Sequence, residues 1–407
     1  MNQQPSIFSP EAPLWSFAFR PLFLLASAIS VVSLLLWTLS LNGQIQWTSE
    51  MPSSLWHVHE MLFGFALTVA AGFLLTAVQN WTSLRSLHGY GLMALVALWL
   101  AIRVVLLLPE INLLVILSLQ AMWWALMIGK FSHLVLSAQS ERNYKIIVLL
   151  LIISTLHLCF LFFSLQGEMD LALHLARAAI LFFTVIITLI AGRIMAMFTR
   201  NGVNRFGDDK AKLIVANIKP TDKIDNPLLY LSGLVAVMYL LNGFFPQQPI
   251  IGFDPVLFLI LPGLLHLYRN SLWAPLATVK IPLLWSLQLS YIFLGISLIV
   301  MGISPLIDSL RFADALHLLT IGTIGGMILA MISRVSLGHT GRLLQVGKLM
   351  AVAYGAVFIA ALIRTFLPML GMPLESWNLS AGLWIIGFGI FLVKFVPVLT
   401  SPRADAN

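Results

Sequence analysis

Twelve long apolar runs constrain this chain more than any other feature: residues 21–41, 57–78, 88–108, 111–136, 145–165, 171–198, 227–245, 253–269, 282–303, 313–335, 346–367 and 377–397. Hydrocarbon about 30 Å thick takes roughly 20 apolar residues to cross as a helix. The runs lack the alternation of a half-buried strand, and a helix satisfies its own backbone polar groups in lipid. The expected fold is therefore all-α: a polytopic membrane protein of about twelve transmembrane helices, one integral membrane domain over residues 1–407. Only 10% of the residues are charged, against about 25% in soluble domains, which excludes a water-facing globule. The eighth run is the shortest and carries Pro262-Gly263.

Charge sets the orientation. Sorting the connections alternately puts Arg20, Arg85, Arg142, Lys145, Arg200, Arg205, Lys210, Lys212, Lys219, Lys223, Arg269, Lys280, Arg342, Lys348 and Arg403 on one side. The opposite connections carry Glu50, Glu110, Glu168, Asp170, Asp308 and Glu375, with Arg311 as their single basic residue. The positive-inside rule makes the basic side cytoplasmic, so both termini lie in the cytoplasm. The alternation survives to the last connection only if the eighth run crosses. The net charge of +7 then follows from topology, which implies a lipid surrounding and no nucleic-acid partner. The one sizeable hydrophilic connection, the cytoplasmic loop 199–226, is too short for a domain. The first residues lack the pattern of a removable signal peptide, and the lone Cys159 excludes a disulfide framework or a thiolate zinc site.

Ionisable residues inside spans are functional suspects, and topology divides the nine histidines. His88, His133, His266 and His339 lie near cytoplasmic ends and read as interfacial. His157, in the fifth run, reads as a hydrogen-bonded packing residue. His57, His59, His174 and His317 all lie at the outer ends of the second, sixth and tenth runs. Those runs are four apart, which suggests three four-helix units. His59 is followed five residues later by Gly64, and His317 five residues later by Gly322. Neutral imidazole is a common ligand for haem iron and copper, so these four are the candidate metal ligands. His57 and His59 diverge by about 200° on an ideal helix and cannot share one metal there. Asp314 and Asp170 precede His317 and His174 by three and four residues, spacings that put a carboxylate beside the ring; Glu60 offers the same to a neighbour. Arg103, Arg177 and Arg364 sit at outer ends. Arginine binds carboxylates bidentately, as haem propionates require; the alternative is snorkelling, or pairing with Glu110, Asp170 and Glu375.

Several segments carry a resemblance. Phe19-Arg20-Pro21-Leu22-Phe23 leads the first run. Trp56-His57-Val58-His59-Glu60-Met61-Leu62-Phe63-Gly64-Phe65 opens the second. Ser333-Arg334-Val335-Ser336-Leu337-Gly338-His339-Thr340-Gly341-Arg342 follows the tenth. With the twelve-span length, these resemble the NnrS family; Gln79 before Asn80-Trp81 departs from its pattern. The resemblance implies a haem- and copper-containing protein of the bacterial inner membrane. It also implies a part in the nitric oxide response and relief of nitrosative stress, with nitric oxide or a related small molecule as partner. On this reading His59 and His317 are axial haem ligands, His57 and His174 serve copper or a second haem, and Arg177 and Arg364 hold propionates. Haem-copper oxidases share the helix number and the ligand positions on the second and tenth helices. This chain lacks their histidine pair on the seventh, so that active centre does not transfer. The alternative is a secondary transporter with two six-helix halves. The four-helix period of the histidines and the few ionisable groups at mid-membrane count against it.

Overall fold

The computed structural model describes residues 6–244 and 254–405. Among them the chain is helical, with no strand. In order, the helices are α1 (Phe19–Leu41), α2 (Ser53–Thr82), α3 (Gly89–Val105), α4 (Leu113–Ser137), α5 (Tyr144–Leu165), α6 (Met169–Phe206) and α7 (Asp209–Ala216). They continue as α8 (Asp222–Asn242), α9 (Ile260–Ser271), α10 (Pro282–Ile303), α11 (Phe312–His339), α12 (Lys348–Phe366) and α13 (Pro373–Thr400). Among the described residues ten of these are long and apolar enough to cross a membrane; α3, α7 and α9 fall short. The third apolar run is thus a helix of 17 residues. The eighth is a 3-10 turn, Pro255–Leu259, leading into α9. Pro262 lies in the first turn of α9, where its missing N–H costs nothing. The connection 246–252 and the adjoining ends of the seventh and eighth runs lie outside the described residues.

The chain forms two compact units. The first comprises Met1–Ala179, Val335–Leu343 and Phe391–Asn407; the second comprises Ile180–Arg334 and Leu344–Ile390. In the first, α1 closes on α2 at Gly72, where an added Cβ would stand 3.1 Å from that of Leu22 and 3.2 Å from the Phe23 ring. In the second, α9 and α10 meet at Gly263 and Gly295, each lacking a Cβ that would come within 2.8 Å of the other's carbonyl oxygen. Small residues let membrane helices approach this closely, which holds the short α9 against its neighbour.

The connection expected over 199–226 is mostly helical. α6 runs on to Phe206, and Val215 of α7 and Ile218 just beyond it pack against Val203, Ala277, Ile281 and Leu284. Asp208 caps α7 by accepting the Ala211 N–H at 2.9 Å and meets Lys280 at 2.8 Å. The Lys280 ammonium holds the Asp208 carboxyl below the usual carboxylate range.

Two of the motif segments meet in the first unit. Arg20, 2% exposed, donates to the carbonyls of Leu399 at 2.8 Å and Ser401 at 2.7 Å, so its cation closes the negative end of α13. The Ala404 N–H bonds the Thr340 carbonyl at 2.9 Å. Gly341 adopts φ +71° with Asp405 packed where a side chain would begin. The His339 ring lies 5.5 Å from that of Phe19 and 6.2 Å from that of Phe17. Phe-Arg-Pro and Gly-His-Thr-Gly therefore act together as a clasp on the C-terminal segment.

Candidate functional site

In the first unit the chemistry gathers where α2 changes its winding. Directly after His59 the helix is π-helical over Glu60–Ala66, a local widening frequent at functional sites. Gly64 sits within it: a Cβ there would lie 2.6 Å from Glu60 Oε2 and 3.1 Å from Arg103 Nη1. The glycine makes room for the Glu60 carboxylate to fold back along the helix towards α3. Gly64→Ala is expected to destabilise the protein by about 1–3 kcal/mol, read as a lowered unfolding midpoint in detergent. An unchanged midpoint would remove this role.

His59 is fully buried. Its Nδ1 lies 2.8 Å from Glu60 Oε1, and its Nε2 lies 2.9 Å from Nε2 of His157 on α5. Trp124 Nε1 donates to His157 Nδ1 at 3.1 Å. An indole N–H can only donate, so His157 Nδ1 accepts and the His157 proton sits on Nε2. That proton is given to His59 Nε2, which must carry the lone pair, and the His59 proton sits on Nδ1 facing the carboxylate. The chain Trp124–His157–His59–Glu60 thus has one direction. Arg103 Nε stands 3.2 Å from Glu60 Oε1, with its guanidinium 4.8 Å over the Trp99 ring. Glu60 Oε2 and Arg103 Nη1 are buried with no hydrogen-bond partner among the described residues. The His157 ring stacks on Phe63 at 3.7 Å.

The second unit repeats the plan with different partners. α11 is π-helical over Leu318–Gly325, directly after His317. His317 is half-buried, and its Nδ1 lies 2.6 Å from the Ala313 carbonyl oxygen. A carbonyl can only accept, so the proton is again on Nδ1 and the lone pair on Nε2. The carboxylate expected to hold His317 is engaged elsewhere. Asp314 binds Arg364 Nη1 at 2.6 Å and Arg311 Nε at 2.7 Å, and two guanidinium groups outcompete a neutral ring for one buried carboxylate. Arg364 lies 5.7 Å over the Trp377 ring. Gly322 packs beneath Phe293, whose ring occupies the place of a side chain. In each unit a histidine precedes a π-helical stretch, with a buried carboxylate, a buried arginine and a tryptophan beside it.

The remaining candidates are less gathered. His57 stacks on Trp37 with ring centroids 4.4 Å apart. His174 and Arg177 stand three residues apart on α6, both half-buried. Two residues carry more than the sequence suggested. His157 bonds directly to His59 across 98 positions, a contact that no local spacing signals. His266, read as interfacial, is 1% exposed and bonded to Tyr291. Arg103 pairs with Glu60 rather than with Glu110.

The donor set fits a haem through imidazole: His59 and His317 each have Nδ1–H fixed by an acceptor and Nε2 bearing the lone pair. The carboxylate behind His59 is the usual partner of a metal-bound histidine. At His59 the Nε2 lone pair is taken by the His157 N–H, so a ligand there must replace that hydrogen bond. For copper no preassembled group exists: among the described residues no three His, Cys, Asp or Glu side chains converge to hold a metal.

A family model described as NnrS protein matches residues 13–403, nearly the whole chain. The chain therefore belongs to that family. No curated protein matches it.

Proposed function

We propose, with membership of the NnrS family as the premise, that this is a haem- and copper-binding membrane protein of the nitric oxide response, acting in relief of nitrosative stress. It crosses the bacterial inner membrane about twelve times with both ends in the cytoplasm, and its metal-site residues lie towards the outer ends of α2, α6 and α11. One observation carries the reading. His59 and His317, each set just before a π-helical stretch, hold their protons on Nδ1 against Glu60 and the Ala313 carbonyl. Both therefore carry the lone pair on Nε2, and at His59 a metal would take the place of the His157 N–H that now bonds it.

Bound haem would supply an iron to which nitric oxide coordinates. The residues around it have separate tasks. Glu60 fixes the His59 ring and strengthens Nε2 as a donor to a metal. Arg103 balances the Glu60 charge from the other side. Trp124 keeps the His157 proton on Nε2, so His157 is a hydrogen-bond donor beside the site and not a ligand. Arg177 and Arg364 are the proposed propionate partners, with Asp314 orienting Arg364. His57 and His174 are the proposed copper-side ligands. The family match gives the transporter reading no support.

The test is an absorption spectrum of the protein purified from haem-replete cells, oxidised and reduced. A Soret band that shifts when nitric oxide is added supports the proposal. A colourless preparation, free of iron and copper by elemental analysis, refutes it.

A further inference from the structure

The second unit holds a buried polar cluster that the metal chemistry does not use. Tyr291, fully buried on α10, has its hydroxyl 2.7 Å from His266 Nδ1 and 2.9 Å from Arg269 Nη1. Arg269 also donates to the Thr188 carbonyl at 3.0 Å, and its charge is matched by Asp225 at 2.5 Å. A guanidinium only donates. The phenolic oxygen therefore accepts from Arg269, and the phenolic hydrogen has one direction left, towards His266 Nδ1. Neutral His266 then carries its proton on Nε2, which faces Thr188 Oγ1 at 3.5 Å. Thr188 spends its own hydrogen on the Thr184 carbonyl at 2.8 Å, so its oxygen is an acceptor.

We propose that Tyr291 is a proton-coupled one-electron donor, with His266 as its proton acceptor, towards lipophilic radical oxidants of the nitrogen dioxide class; the pair is read from the geometry, and the choice of oxidant rests on the function proposed above. A phenol radical cation is a very strong acid, so one-electron oxidation of a tyrosine proceeds by losing the phenolic proton to a base already bonded to it. Here that base is an imidazole at hydrogen-bond distance. The step balances: Tyr291 O–H breaks, its proton goes to His266 Nδ1, and its electron goes to nitrogen dioxide, which becomes nitrite. The products are a neutral phenoxyl radical and an imidazolium whose second N–H already faces an acceptor. Asp225 offsets the neighbouring Arg269 charge, which limits the cost of a second cation in a low-dielectric interior. A second nitrogen dioxide adding to the phenoxyl ring, with the ring hydrogen at that carbon passing as a proton to the phenolic oxygen, leaves 3-nitrotyrosine as a permanent mark.

Tyr354 on α12 is the internal control. It is 1% exposed, and no histidine stands at its hydroxyl among the described residues. The proposal needs no metal at His59 or His317. Its test uses the full-length protein in lipid nanodiscs, treated with nitrogen dioxide formed from nitric oxide and oxygen. Rapid freezing for electron paramagnetic resonance and peptide mapping of 3-nitrotyrosine then give the two readouts. Tyr291 is expected to give the phenoxyl signal and to be nitrated at least tenfold faster than Tyr354. His266→Gln, which accepts a hydrogen bond but cannot take the proton, should slow Tyr291 by about a hundredfold, the scale of a positioned base, and leave Tyr354 unchanged. Equal nitration of Tyr291 and Tyr354 in the unaltered protein would overturn the proposal, whatever the variant does. So would a Tyr291 rate unaffected by His266→Gln.

Discussion

Arg103→Ala is expected to destabilise the first unit by about 3–5 kcal/mol, the usual result of stranding one member of a buried ion pair. Glu60 is 1% exposed and Arg103 7%, and the guanidinium is the one cation beside that carboxylate among the described residues. Without it Glu60 either stays charged in an apolar interior or takes up a proton. In both cases the acceptor for His59 Nδ1–H is altered, and the disturbance passes to His157. Removing both charges should be milder. Glu60→Leu combined with Arg103→Leu is expected to restore part of the loss, because two hydrophobic side chains replace two desolvated ions while the buried His59 Nδ1–H loses its acceptor. Unfolding curves in one detergent for Glu60→Leu, Arg103→Leu and the double variant give the coupling directly. If the double variant loses the sum of the two single losses, the pair is not the stabilising unit described here.

Glu60→Gln separates stability from ligand strength. The amide keeps a carbonyl to accept His59 Nδ1–H but loses the negative charge behind the ring. Losing a carboxylate partner of a ligating histidine typically costs about 10–100-fold in affinity, and haem titration into apo-protein should show a loss of that size. Asp314→Asn provides the contrast. Asp314 bonds Arg364 and Arg311, and His317 bonds the Ala313 carbonyl instead. The Asn variant leaves the acceptor at His317 in place, so it should lower stability and reduce haem affinity less than Glu60→Gln does, through Arg364 alone. Equal affinity losses in the two variants would mean that the carboxylate has no special relation to His59.

These contrasts also mark what a single sequence reveals. The apolar runs were legible because twenty-residue hydrophobicity is a local property, and an all-helical membrane protein follows from it. The short eighth run was legible as an anomaly; its actual form, a 3-10 turn and α9, depends on Gly263 meeting Gly295 on another helix. The repeated five-residue step from histidine to glycine has a physical source. Five residues is the hydrogen-bond span of a π-helix, and both steps fall at π-helical stretches. Glu60 beside His59 was within reach of local spacing. Asp314 beside His317 was equally within reach, yet Arg364, 50 residues on, takes that carboxylate. Spacing gives an opportunity, and competition with distant cations decides whether it is used. His157 was legible as a hydrogen-bonded residue, but its partners and the burial of His266 were not, because those partners come from other helices and a histidine within an apolar run looks the same whether it packs or belongs to a network.

The central claim is that His59 and His317, singled out by winding and tautomer, are the haem ligands. It is tested most directly by comparing Soret absorbance per protein for the unaltered chain, His59→Ala, His317→Ala and His266→Ala, all purified alike. The account predicts a Soret band in the unaltered chain, its loss or displacement in the first two variants, and its retention in His266→Ala. Three variants with indistinguishable spectra would contradict it.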